Sequence, residues 1–555
     1  RPSAPVSYTW LRLFRHMSAA PPETILPQHA APGALRRLQW VFAAVLLAVS
    51  AAFLVLTRHW PMVGDAALLH YSVFLIEHGW IPYRDFADIN MPGAYWATAA
   101  GMKLPWQPDV GWRIFDLGLV VLAGCGYYVI ARPYSRFAAF FATAMLLLVH
   151  GQDGVQQAGQ RDLVIAVLLV LGSAALIQGM RRQEWSYVLP FGLATGLAAT
   201  IKPTAAPLGL VLLAMAALHQ LGWRAEGSER PKDDRGREAV LRWVLAGLGA
   251  MCVGPLVMLV WLWRHHALDA WLQLQRILLP YYASLERRPF GFTLSHSLSP
   301  IAVLVLLWLT SIVVARPRWP TAERLLIAAA TLLNLLALLA QGKALPYQRY
   351  PMLVFLLLLI SLDLATSLRT SGKARCVAVA GLACGALIVA PLALLRVHRF
   401  DARPQEFDAM LAADLEHLGG SRLSGHVQCM DTIQDCLPTL FTLRWLPATT
   451  TLSDAELFGP AQKPAVQFMR QRFMYAAEAN PPLVIVVVSG SFLDNMSGYS
   501  KLAAWPEFAS WLAAHYTLIA ERTPPHMVRW WSRPQPPAGY RLYVSKEAFQ
   551  ESQRE

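Results

Sequence analysis

Four acidic side chains fall within one short stretch, Gly64 to Trp96. Asp65, Glu77, Asp85 and Asp88 alternate there with Tyr71, Tyr83 and Arg84, ahead of a Met91-Pro92-Gly93 turn. The stretch follows directly on a long apolar run. Carboxylates beside a membrane are costly to hold, so a cluster in that place points to function. A carboxylate near a low-dielectric boundary can act as a general base or hold a metal ion. Asp65 and Asp88 are the pair that a divalent ion such as Mg²⁺ or Mn²⁺ would share. The Gly64-Asp65 dipeptide equally suits the N-cap of a surface helix beginning at Ala66.

Other polar connectors carry complementary groups. His150 to Asp162 reads HGQDGVQQAGQRD and ends in Arg161-Asp162 at a helix start; Lys202 closes an apolar run; Gln341 to Tyr350 reads QGKALPYQRY. Cations aimed at one point can hold a phosphate and the charge that develops on it. Each has a structural alternative: Asp162 fits a helix cap, and Lys202 and Arg349 fit residues that snorkel to headgroups.

The elements that must position these residues are membrane spans. The chain has 555 residues, 55% hydrophobic and 15% charged, well below the ~25% charged of soluble domains. Eleven apolar runs reach or approach spanning length, near 38–57, 114–131, 136–150, 162–179, 186–201, 204–221, 240–263, 298–315, 323–340, 350–368 and 376–396. The net charge of +13 does not signify nucleic acid, because the basic residues lie in short connectors between the runs. Arg132, Arg136, Arg181, Arg182, Arg316, Arg318, Arg369, Lys373 and Arg375 mark alternate connectors, which makes that side cytoplasmic. The N-terminus is then expected inside, with loop 58–113 and everything after Arg396 outside. Residues 1–37, Pro- and Ala-rich, read as a disordered cytoplasmic tail. Residues 264–297 alternate apolar and basic positions, as an interfacial helix does.

From about residue 401 the composition changes. Pro481-Pro482 introduces LVIVVVSG, a buried-strand pattern. His426–Met430, Tyr516–Ala520 and Arg541–Ser545 are further strand candidates, with helices at Leu411–Leu418 and Phe508–His515. This predicts a small α/β domain over 401–555 on the outer side, with some parallel pairing. Cys429 and Cys436 lie in it, seven apart, where the compartment permits a disulfide.

The order of parts resembles the GT-C superfamily of membrane glycosyltransferases, in particular the bacterial protein-mannosyltransferase-like and aminoarabinose transferase-like branch. The residues that carry the resemblance are Gly64-Asp65 after the first span, HGWIPYRDF (78–86), MPGAYW (91–96), the Asp162-led span, ATIKPT (199–204) and PYQRYPML (346–353). It covers about 38–400 and implies an all-α polytopic catalytic domain of about eleven spans with the α/β domain appended. By the resemblance, Asp65 matches the catalytic acid position of the first outer loop and Asp162 a later acidic position. Lys202, Arg349, Tyr350 and Arg161 match the groups that meet a lipid phosphate, while Tyr83, Arg84 and Asp85 belong to the substrate loop. Relatives of the aminoarabinose type carry Lys-Pro-Pro where this chain has Asn90-Met91-Pro92, which argues against that particular activity.

The expectation is a glycosyltransferase of the cytoplasmic membrane. It would move a sugar from a polyprenyl-phosphate donor to a lipid, glycan or protein acceptor on the outer face, with inversion and with lipids but no nucleic acid as partners. A transporter or flippase of a lipid-linked or anionic substrate is the rival class; it should show inverted repeats or mid-span charges.

Overall fold

The computed structural model describes residues 33–226, 234–315, 319, 321–397, 404–432, 436–490, 498–524 and 538–547. Most of the expected N-terminal tail lies outside the described residues, as do Arg316 and Arg318. Nine described helices are long and apolar enough to cross a membrane, and two shorter apolar helices, Arg136–Gly151 and Trp185–Ile201, occupy the places of the other two expected spans. Large apolar side chains such as Leu47, Leu256, Val257, Leu306 and Val313 are exposed along the spans, the surface that lipid would cover. The helix Tyr350–Ser367 lies at the centre, with every residue buried.

Two close backbone approaches set the positions that matter for the site. Helix Val188–Ile201 packs against Asp234–Arg264 so tightly that a Cβ on Gly196 would lie 2.2 Å from the Met251 carbonyl oxygen. Small residues permit this contact in membranes, and the helix they anchor ends at Lys202. At that end Gly93 meets Thr200, where an added Cβ would lie 2.2 Å from Oγ1. The short loop helix Pro92–Met102 is thereby fixed beside Lys202.

The loop between the first two spans forms a second helix, Asp65–Glu77. The interfacial segment becomes two helices, Leu268–Ser284 and Phe290–Leu298, the second leading into the next span.

The C-terminal part holds a four-stranded sheet of β1 (Val427–Met430), β2 (Val484–Val488), β3 (Tyr516–Arg522) and β4 (Tyr540–Ser545), in the order β1-β2-β4-β3. β1 and β2 are parallel, with Cys429 opposite Val486; the other two pairings are antiparallel. Cys429 and Cys436 form a disulfide. Two helices not evident in the sequence, Cys436–Leu443 and Pro464–Ala479, complete this part.

It sits on the first loop. Tyr71 Oη donates to the Trp445 carbonyl at 3.1 Å, Ala87 N to the Thr450 carbonyl at 3.2 Å, and Arg472 to the Tyr83 and Arg84 carbonyls at 3.3 and 2.9 Å. Beneath these bonds Met62, Ala66, Phe74 and Trp112 share one apolar cluster with Leu437, Phe441 and Trp445.

Candidate active site

Asp65 is the first residue of its helix, preceded by Gly64, and it makes no side-chain cap. The capping alternative therefore does not describe it. Its carboxylate has no hydrogen-bond or ion-pair partner among the described residues. Among the charges it acts on is Arg161, which opens the helix Arg161–Arg182. Tyr347, Tyr282 and Asp162 share the same surroundings.

Asp162, one residue further, is buried and likewise not a cap. Its Oδ1 accepts from Lys202 Nζ at 2.9 Å and its Oδ2 accepts no hydrogen bond. Arg161 Nε stands 3.9 Å from the same carboxylate. Lys202 and Asp162 line a narrow cleft together with Thr204, Asn334, Gln341 and Gln348. Three of the expected residues, Arg161, Asp162 and Lys202, thus come together near Asp65.

The remaining expected residues are engaged elsewhere. Arg349 is buried and paired with Asp153 Oδ2 at 2.5 Å. The Tyr350 hydroxyl is bonded to His150 Nδ1 at 2.7 Å, and His150 Nε2 lies 2.9 Å from Asp116 Oδ1. Asp116 also accepts from Gly159 N at 2.7 Å and pairs with Arg113, whose Nη2 donates to Thr57 at 2.6 Å. An ionised Asp116 only accepts, so His150 carries a proton on Nε2. Arg349 thus spends its charge on Asp153 and keeps only its Nε without a partner.

The substrate-loop residues are likewise used internally. Arg84 pairs with Asp85 at 2.8 Å, Asp85 accepts from Ile81 N at 2.8 Å, and Tyr83 Oη donates to the Asn90 carbonyl at 2.5 Å. Asp88 accepts from Asn90 N at 3.0 Å, from Asn90 Nδ2 at 2.9 Å and from Tyr95 Oη at 2.7 Å.

The cluster contains groups that the sequence reading passed over. Lys343 is 6% exposed, its ammonium has no hydrogen-bond partner, and it lies 3.0 Å from the centre of the Tyr282 ring, a cation–π contact. Burial, with Arg161 and Lys202 nearby, lowers its pKa to about 8. Burial also raises the Tyr282 hydroxyl, which feels Arg161, Asp65, Asp162 and Glu456. The one available sign was Lys343 itself, a lysine two residues past a span within QGKALPYQRY. Tyr282 sits in an ordinary amphipathic run, and Glu456 in a loop without periodicity. The result is a partly enclosed set of three cations, Arg161, Lys202 and Lys343, beside an unpartnered carboxylate. Such a set can hold a phosphate while a base works next to it.

Residues 90–229 match the family of dolichyl-phosphate-mannose-protein mannosyltransferases. That segment contains Asp162 and Lys202 and leaves Asp65 outside. No curated protein matches the sequence. Among solved structures, the chain is similar to ArnT from Cupriavidus metallidurans bound to undecaprenyl phosphate, at 15% identity and a TM-score of 0.55, over 91% of this chain and 97% of that one. The oligosaccharyltransferase AglB from Archaeoglobus fulgidus, in complex with an inhibitory peptide and a dolichol-phosphate, aligns at 12% identity and a TM-score of 0.49, over 92% and 77%. The mycobacterial arabinofuranosyltransferase AftD aligns at 15% and 0.48, over 92% and 41%. The likeness to ArnT shows a shared polytopic fold, and within it residues 90–229 are similar to a mannosyltransferase family.

Proposed function

We propose that this chain transfers a sugar from a polyprenyl-phosphate donor to a hydroxyl of a lipid, glycan or protein acceptor, on the outer face of the cytoplasmic membrane. Asp65 takes the acceptor hydroxyl proton as that oxygen bonds to the anomeric carbon. The bond from this carbon to the phosphate oxygen breaks, and its electron pair leaves with the polyprenyl phosphate. One base and no enzymic nucleophile give inversion. The leaving phosphate needs no acid, because Arg161, Lys202 and Lys343 take up its charge.

The observation that carries the reading is the unpartnered Asp65 carboxylate beside Arg161. The family match and the undecaprenyl phosphate bound in the ArnT structure support a lipid-phosphate donor. The sidedness rests on the basic connectors: Arg132, Arg181, Arg182 and Arg369 lie at the span ends away from loop 58–113.

A divalent ion shared by Asp65 and Asp88 would have to displace Asn90 and Tyr95 from Asp88. Among the described residues no three His, Cys, Asp or Glu side chains gather as a metal site. The residues do not suit such an ion.

Asp65→Asn keeps the shape and removes the basicity. The variant is expected to fold, to bind donor lipid and to lose sugar transfer by roughly a hundredfold or more in proteoliposomes. Near-normal turnover would overturn the assignment of the base.

A further inference from the structure

The C-terminal domain contributes one buried carboxylate to the site. Glu456 is 9% exposed, and the charges it feels include Asp88 and Lys343. The loop that carries it is held from several directions. Two residues earlier, Asp454 accepts from Thr432 Oγ1 at 2.5 Å and pairs with Lys501 at 2.6 Å. Just after it, Arg470 donates to the Leu457 and Gly459 carbonyls at 2.8 and 3.2 Å. Gly459 packs on Tyr281, where an added Cβ would lie 2.0 Å from the hydroxyl.

Asp454 and Glu456 therefore have different jobs. Asp454 holds the loop, with its carboxylate fully used. The Glu456 side chain makes no hydrogen bond or ion pair to another residue among those described. Burial, with Asp88 and Asp454 nearby, pushes its carboxyl up to about 7, as befits a carboxyl without the donors a structural carboxylate recruits.

Two further buried polar groups at the same place are unfilled. The Lys343 ammonium and the Tyr281 hydroxyl, each 6% exposed, have no hydrogen-bond partner. Buried donors left open in a protein interior are costly, and a ligand that fills them offsets the cost. Lys343 and Glu456 act on each other electrostatically but form no ion pair. An ammonium that donates and a carboxylate that accepts, held apart, suit the hydroxyls of a sugar ring. The same Lys343 also feels Arg161 and Lys202, the cations assigned to the donor phosphate. The group attached to that phosphate is the sugar to be transferred.

From this we infer that Glu456, with Lys343, forms a sugar-reading subsite. The C-terminal domain thereby sets donor specificity: the Glu456 carboxylate accepts from hydroxyls of the sugar that the donor phosphate carries. Glu456 is a binding and not a reacting group, and the inference rests on the glycosyltransferase reading above.

The test measures binding to the full chain in nanodiscs. The probes are bare undecaprenyl phosphate and undecaprenyl phosphates bearing mannose, glucose, galactose or arabinofuranose. The wild type should rank the four glycosylated lipids over roughly a tenfold range, the worth of one charge-assisted hydrogen bond. Glu456→Gln should collapse that ranking while leaving bare-lipid affinity and thermal unfolding unchanged. Asp65→Asn should keep the ranking. A ranking that survives in Glu456→Gln, or a wild type that binds the four alike, overturns the subsite. A wild type that binds neither bare nor glycosylated lipid overturns the donor reading itself and the subsite with it.

Discussion

Two groups of buried charge sit at the same end of the membrane helices, and they differ in how their valences are filled. In the first, Arg113, Asp116, His150 and Tyr350 form an unbroken chain, with Arg349 and Asp153 as an ion pair beside it. In the second, Asp65 has no partner, one oxygen of Asp162 is open, and Lys343 rests on a ring instead of an acceptor. Both groups combine cations, carboxylates and tyrosines drawn from the same kinds of connector. The chemistry of the side chains does not tell them apart; the partners already present do. In the first group every carboxylate is paired and only the Arg113 and Arg349 Nε groups stay open; in the second a carboxylate and an ammonium are left for a ligand.

The largest effect should come from breaking the filled set. Arg349→Met leaves Asp153 buried without its cation and should cost about 3–5 kcal/mol, read as loss of folded protein in detergent unfolding. Arg349→Met combined with Asp153→Leu should recover most of it. A stable Arg349→Met protein that has lost donor binding would return Arg349 to the site and erase the distinction.

Asp65→Asn should do the reverse, abolishing transfer with at most about 0.5 kcal/mol of stability change, because no contact is lost. Lys343→Met gives up only the cation–π contact with Tyr282, at most about 1–2 kcal/mol, and should weaken donor binding by roughly tenfold.

The smallest effect is a titration. The Lys343 pKa of about 8 means the ammonium is present below that pH and lost above it. A glycosylated lipid phosphate keeps one charge throughout. Its affinity should therefore fall as pH rises from about 7.5 to about 9 in the wild type and stay flatter in Lys343→Met. Equal slopes in the two proteins would remove Lys343 from the phosphate cations.

Apolar length placed nine helices long enough to cross a membrane and two shorter apolar ones among the described residues, because the signal is local. The four strands were legible for the same reason, whereas helix Pro464–Ala479 has mixed polarity and stayed hidden. The site was only partly legible. Asp162 and Lys202 each stand at a helix end facing the same side, so their meeting follows from topology. PYQRY marks Arg349 as a cation at a helix start, but nothing local names Asp153, nearly two hundred residues earlier, as its partner. Glu456 has no pattern around it; its place depends on a loop held by Lys501, Arg470 and Tyr281.

The strand order has a consequence for synthesis of the chain. β4, the last strand, lies between β2 and β3 and pairs with both. The sheet cannot close until the ribosome has delivered residues 540–545, long after the spans have been made. Until then the loop face formed by Met62, Ala66, Phe74 and Trp112 waits without its finished cover. Domains emerging from the ribosome generally fold in order from the N-terminus. In this chain the first outer loop is made early, yet it gains its finished cover only after residues 540–545 have emerged, several hundred residues later.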